Sequence, residues 1–415
     1  MTRGEASELL NARAVTEGGE ALGRFLALRA RHRMDTLAPV LRPYLLSRAQ
    51  QALLARTTLE LWQAMHRVLQ RWEAGALADA VPLPALVAER AREDIREGHP
   101  FGHVRFDFTF EPQTQALGLL EVQAGDPSGM GMQHVLAEHF APELAAVGAS
   151  CESVASSLRR SIAPEPQRAG LVVFAIQRSA FVQFDHALVA QVFRAEGVDA
   201  VLVDPDELSF DGAALRWRGR RVDRVVRDSL EDLLEPRFVE ASRPLLDAWV
   251  KGAVAVDNPA GSVVADHKVL LSLLPEVEPG PAARAAHLKT RRLEKAHQQD
   301  VSAARGQWVL KPSDGYGGFG VVVGPAVDDA AWSRSLCEAL EAPRPFILQE
   351  YRAPPTEDFP VPDEHGGVTL AARNVVLSTW MHQGRFGGCF SRVHGGPVVN
   401  VHQGGGLLPV GVVDE

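Results

Sequence analysis

The residues of this chain that could do chemistry fall into two groups far apart in sequence. In RFDF (105–108) and LLEVQ (119–123), strand-like alternation puts Arg105 and Asp107 on one side of one strand, and Glu121 and Gln123 on one side of the next. Two carboxylates and an amide oxygen on paired strands suit magnesium, a hard cation that takes oxygen ligands at ~2.0–2.1 Å, partly from phosphate. Arg105 beside them would offset negative charge that builds up during group transfer. The same residues also suit an exposed, ordinarily charged ribbon.

The second group starts at Trp308. In WVLKPSDGYGGFGVVVG a strand delivers Lys311, and Gly315, Gly317, Gly318 and Gly320 follow before a second strand. Glycines accept positive φ and let backbone N–H groups approach phosphate oxygens. This is no Walker loop, since no Gly-Lys-Ser/Thr closes it and a strand follows instead of a helix. The alternative is a glycine-rich hairpin tip with a surface lysine. FILQEY ends a strand with Gln349 and Glu350, which suit an adenine edge or plain solvation. CFSRVHGG places Arg392 on a strand, where a guanidinium fork can clamp carboxylate or phosphate oxygens. DHK supplies Lys268 on an expected helix.

These residues need elements to hold them. Residues 1–98 read as a helical N-terminal region, with Trp62, Met65 and Trp72 as core. Residues 99–165 carry the acidic hairpin and a following helix. Residues 166–250 show a β-α-β rhythm, LVVFAIQ, FDHALVAQVFRAEG and VDAVLVD, of a small parallel layer. No Gly-x-Gly-x-x-Gly follows LVVFAIQ, so a dinucleotide site is not expected there. Residues 251–415 give mainly strand-turn-strand signals. Within them PEVEPGPAARAAH (275–287) reads as a mobile connection, and the basic run HLKTRRLEKAHQQ (287–299) as a solvated helix face.

Composition narrows the function. Lys and Arg number 43 against 52 Asp and Glu, a formal charge of −9, which argues against nucleic acid or an anionic membrane as partner. The three cysteines lack metal-ligand or disulfide-framework spacing and read as buried thiols in a reducing, cytoplasmic setting. The first twenty residues show no signal-peptide pattern, and no apolar run approaches membrane-span length. The histidines show no zinc spacing, and no Gly-x-Ser-x-Gly elbow is present.

Taken together, RFDF, LLEVQAGDPSG, DHK with LLSLL, WVLKPSDGYGGFGV and the ending STWMHQGRFGGCFSRVHGGPVVNVHQGGGLLPV resemble the ATP-grasp superfamily of carboxylate–amine ligases. The metal strands, usually last, come first here, so the chain resembles a circularly permuted member, similar to the glutathionylspermidine-synthetase-like group, over residues 100–415. The resemblance implies an α+β fold: a permuted ATP-grasp core, a small α/β layer of pre-ATP-grasp type and the helical N-terminal region. It implies ATP and Mg²⁺ as cofactors and ligation of a small-molecule or peptide carboxylate to an amine through an acyl phosphate. Asp107, Glu121 and Gln123 would ligate metal, and Arg105 and Arg392 would act in catalysis. Lys268, Lys311, Gly315, Gly317, Gly318, Gln349 and Glu350 would bind nucleotide. Gln123 stands where the family pattern has Asn, which leaves a non-catalytic ATP-binding adaptor as the alternative.

Overall fold

Alternation in HVRFDFTF buries Val104, Phe106, Phe108 and Phe110 on one face of a strand, and the rest of the architecture is built against that face. The computed structural model describes residues 1–414 except Asp126, Ser179, 181–182 and 228–235, with the backbone alone of Pro236 and Arg237.

Helices α1 (Arg3–Glu17) and α2 (Gly19–Arg31) precede a short strand β1 (Tyr44–Ser47), then α3 (Arg48–Glu73) and α4 (Ala85–Arg96). The hairpin β2 (His103–Glu111) and β3 (Ala116–Gln123) follows, then α5 (Met130–His139), α6 (Ala141–Ala146) and α7 (Val154–Ile162). An α/β layer opens with β4 (Leu171–Ala175), α8 (Gln183–Ala195) and β5 (Asp199–Val203). It carries a small ribbon, β6 (Leu208–Phe210), β7 (Leu215–Trp217) and β8 (Arg220–Arg221), and closes with β9 (Arg224–Arg227) and β10 (Ala255–Asp257). Next come β11 (Thr290–Arg292), β12 (Trp308–Pro312), β13 (Val322–Val323) and β14 (Phe346–Glu350). The chain ends with β15 (Thr356–Pro362), β16 (Val368–His382), β17 (Arg385–His394) and β18 (Gly406–Val413).

The largest sheet has seven strands in the order β1-β18-β17-β16-β2-β3, with β15 on the outer half of β16. Helix α3 covers the face that bears Phe106 and Phe108; Ser47 and Gln50 form its capping box, and Leu54, Leu61, Met65, Val68 and Trp72 are buried along it. Helices α5, α7 and α8 pack under the opposite face near Trp380, Phe390 and Leu407. A four-stranded antiparallel sheet, β11-β14-β12-β13, forms the second lobe with its own core around Trp308, Trp332 and Leu348. The α/β layer is an all-parallel sheet, β10-β9-β4-β5.

Several expectations change. The N-terminal region is not purely helical: β1 runs parallel to β18 and belongs to the large sheet. Residues 275–287 are ordered, not a free linker. The 3₁₀ segment Lys268–Val277 leads to a helix at Pro281–Ala286 whose Ala282 and Ala283 N–H groups donate to Glu60, at 2.7 and 3.0 Å. The basic run contains β11 instead of a helix face, because Thr290–Arg292 pairs with β14. Cys389 is buried, but Cys151 is half-buried and Cys337 is exposed. No described helix is long and apolar enough to cross a membrane.

Candidate active site

Register decides what faces what. Across the hairpin Arg105 pairs with Gln123 and Asp107 with Glu121, while Phe108 pairs with Leu119. Leu120 is therefore the extra residue of a β-bulge, which turns its carbonyl out of the ladder. On the other side of β2, Asp107 pairs with Ser378 and Arg105 with Trp380, and Val376 pairs with Arg392 on β17. Arg105, Asp107, Glu121, Gln123, Ser378 and Arg392 thus share one face of the large sheet.

That face meets the second lobe. Lys311, on β12, donates from Nζ to Gln349 Oε1 at 2.6 Å and to the bulge carbonyl of Leu120 at 3.2 Å. Gln349 in turn donates to Leu119 O at 3.3 Å and to Thr290 Oγ1 at 3.2 Å. Its carboxamide is consumed in holding Lys311 and docking the two sheets, so the part of the strand end open to the cleft is Glu350. Burial lowers the Lys311 pKa to about 8, with Glu121 pulling the other way. Lys268 begins a 3₁₀ turn, not the expected helix; its ammonium donates to Gly315 O and lies 3.5 Å from Glu121 Oε2. Ser313 locks this turn to the glycine loop, accepting from Lys268 N at 2.8 Å through its carbonyl and from Val269 N at 3.1 Å through Oγ.

The glycine loop needs its glycines. Gly317, Gly318 and Gly320 have φ of 66°, 76° and 72°, which L side chains rarely adopt. A Cβ on Gly318 would lie 2.9 Å from Val398 Cγ1, and one on Gly315 2.5 Å from Pro312 Cγ. Tyr316 and Phe319 project from the loop and are exposed.

Asp107 is fully buried and crowded. Arg105 donates to it twice, Nε to Oδ1 at 2.9 Å and Nη2 to Oδ2 at 3.0 Å; Arg392 Nη2 lies 2.6 Å from Oδ2, and Ser378 donates to Oδ1 at 2.7 Å. Burial pushes its carboxyl up, but the two guanidiniums outweigh it and hold Asp107 well below the usual carboxylate range. Glu121, by contrast, is only half-buried, and Gln123 donates to it from Nε2 at 3.3 Å. Glu121 is thus the more accessible carboxylate for a hard cation, which would displace Lys268 from it, and the Gln123 amide must turn over to present its oxygen. Asp107 fits one only if a guanidinium gives way. No group of three or more His, Cys, Asp or Glu residues placed to hold a metal occurs among the described residues.

Two adjoining cavities open here. The first is lined by Asp107, Glu121, Lys268, Lys311, Gly315, Gly318, Gln349, Glu350 and Arg392. The second, smaller one is lined by Arg105, Gln123, Gly317 and Arg392, and Tyr316, Arg392 and Asn400 line both. Of the residues singled out for chemistry in the sequence, all but Gly320 line one or other of these two adjoining cavities. Asp266, Ser378, Asn400 and His402 were not singled out. Asp266 stood in plain view in DHK, two residues before Lys268. Ser378 was recoverable only from strand register.

A cleft between the large mixed sheet and the four-stranded antiparallel sheet, with a buried lysine on one side, a glycine loop above and carboxylates opposite, gives the molecule a two-lobed clamp. The chain belongs to the circularly permuted ATP-grasp type 2 family, whose model matches residues 129–394. The match begins after the acidic hairpin, so the hairpin's place in the site rests on the geometry above. An uncharacterized protein of Synechocystis is 27% identical over 272 residues, 59% of this chain and 54% of that protein. A putative glutamate–cysteine ligase of Frankia alni is 32% identical over 180 residues, 40% of this chain and 20% of that protein. The chain thus spans about half, or less, of the length of these relatives. A glutathione synthetase-like effector from Globodera pallida superposes with a TM-score of 0.58 at 11% identity, covering 91% of this chain and 90% of that one, which is a likeness of fold.

Proposed function

We propose that the protein is an ATP-dependent ligase that joins a carboxylate to an amine through an acyl phosphate, releasing ADP and phosphate. The observation that carries this reading is the convergence of the early acidic hairpin with the late lysine-and-glycine loop: Lys311 donates to the carbonyl of Leu120, next to Glu121 on the strand that pairs with Asp107. Family membership and the ligase name of one relative support it.

In this reading Lys268 and Lys311 bind the nucleotide phosphates, with Gly315, Gly317 and Gly318 over them and Glu350 at the adenine end. Gln349 keeps Lys311 in place. Glu121 and Gln123, joined by Asp107, would hold magnesium, which would supply positive charge to offset that of the phosphates. The substrate carboxylate oxygen bonds to the γ-phosphorus, and the bridging bond to ADP breaks toward ADP. The amine then attacks the acyl carbon, and phosphate leaves. Negative charge builds up in both steps beside Arg105 and Arg392, which are fixed before the reaction by Asp107 and so need little rearrangement. The four sequence segments 1–98, 99–165, 166–250 and 251–415 are proposed as frame, metal-binding part, α/β layer and nucleotide-binding part. Free cysteines throughout support a reducing, cytoplasmic location.

The test is ADP release from Mg·ATP with a panel of carboxylates and amines. Glu121→Gln is expected to reduce turnover at least about 100-fold, and Asp107→Asn to do the same if it folds. Unchanged turnover in both overturns the metal assignment. A non-catalytic ATP-binding adaptor is the second reading, favoured by Gln123 and by the engagement of both Asp107 oxygens with guanidiniums. Binding of Mg·ATP without turnover across the panel selects it.

A further inference from the structure

The second cavity carries opposite charges, Arg392 and Asp266, of which Arg392 also borders the first. At its junction with the first cavity stands Arg392, 6% exposed. Its Nη2 is spent on Asp107, but its Nε is buried and makes no hydrogen bond among the described residues. Both guanidiniums contact the Asp107 carboxylate, and Glu121 and Asp266 are further carboxylates acting on Arg105. The buried Arg392 Nε–H left without a partner calls for an acceptor such as a carboxylate.

Asp266 also lines this cavity and is 7% exposed. Its Oδ1 accepts from the backbone N–H groups of Ala124 at 2.8 Å and Gly125 at 3.1 Å. No described side chain donates to its Oδ2. The neighbouring cation Lys268 is turned to Gly315 and Glu121 instead. Burial raises the Asp266 carboxyl, with Lys268 and the two backbone N–H groups pulling the other way. Apolar walls from Met132, Phe390 and Leu407 close the space between, and His402 is held neutral by burial and by the two arginines.

We propose that the second cavity binds a small amino acid as a zwitterion, its carboxylate toward Arg392 and its ammonium on Asp266. This deepens the ligase reading and rests on it: the carboxylate end lies at the junction with the nucleotide cavity, so the acyl donor is an amino acid. A ligand lacking either charge leaves a buried group unpaired, which is the strongest form of discrimination a pocket has. The apolar walls favour a short, uncharged side chain.

The experiment is calorimetry on the full chain loaded with Mg²⁺ and the β,γ-imido analogue of ATP. L-alanine, β-alanine, propionate and ethylamine are titrated in turn. At least one of the two zwitterions is expected to bind roughly 10–100-fold more tightly than propionate and ethylamine. Asp266→Asn is expected to bring its affinity down to that of propionate while the analogue binds as before. The proposal is overturned if neither zwitterion binds, if propionate binds as well as they do, or if Asp266→Asn weakens Mg²⁺ binding and leaves the preference intact. The comparison among ligands on the unmutated chain decides the matter even if the variant fails to fold. Failure of the analogue itself to bind overturns the nucleotide reading, and the same titrations on the bare chain then decide the amino-acid site by the same ratio.

Discussion

Asp107 sits between two guanidiniums with no exposed surface, and this sets it apart from Glu121. Removing its charge leaves Arg105 and Arg392 buried against each other, so Asp107→Asn is expected to destabilise the fold by ~3–5 kcal/mol. Glu121→Gln touches a half-buried group and is expected to change stability by about 1 kcal/mol or less. Chemical denaturation of the two variants checks the contrast. Lys311 gives a pH signature. Its pKa in the fold is about 8 against an ordinary 10.5, so the unfolded chain binds the extra proton between those values. Stability of the ligand-free protein is therefore expected to rise with pH across that window. Affinity for Mg·ATP is expected to fall above pH 8, by up to about ten-fold per pH unit, as the charge is lost. Lys311→Met is expected to bind ATP weakly and to abolish this slope. In sequence, Lys311 and Asp107 were legible from residue type and strand spacing. That Asp107 is occupied by arginines was not, because Arg392 reaches it from a strand far along the chain.

Among the elements, the glycine loop is the most exposed to single changes. Gly318→Ala places a Cβ where φ is +76° and Val398 lies 2.9 Å away. The left-handed backbone alone costs ~1–2 kcal/mol for an L side chain, so Mg·ATP affinity is expected to drop roughly five- to thirty-fold. The loop lies at the rim, so the thermal midpoint is expected to move little. Calorimetry and a melting curve on the same variant measure both. The hairpin β2–β3 could be read directly, since alternating phenylalanines announce one buried face. Its bulge at Leu120 could not, because Leu-Leu gives no sign of which leucine drops out of register. The strand β1 hid inside helical sequence: Tyr-Leu-Leu-Ser has no alternation, being buried on both faces. Residues 281–286 looked like linker because alanine and proline are short, yet small side chains are what let this turn dock on α3, where Glu60 caps it.

At the scale of the molecule, the two lobes share few covalent links and meet at the cleft, so occupancy of the cleft is expected to tie them together. Mg·ATP at 100 times its dissociation constant is expected to stabilise the fold by ~2.7 kcal/mol, read as a rise in melting temperature that disappears in Lys311→Met. The parallel pairing of β1 with β18 has a different consequence. A ribosome delivers residue 44 long before residue 413, and β2 likewise waits for β16. Through most of synthesis the apolar underside of α3 and the open flank of the first hairpin have no mate, a long-range closure that is slow and prone to sticking. The nascent chain must be shielded until β18 emerges, and the cleft can come into being only once that strand has been made.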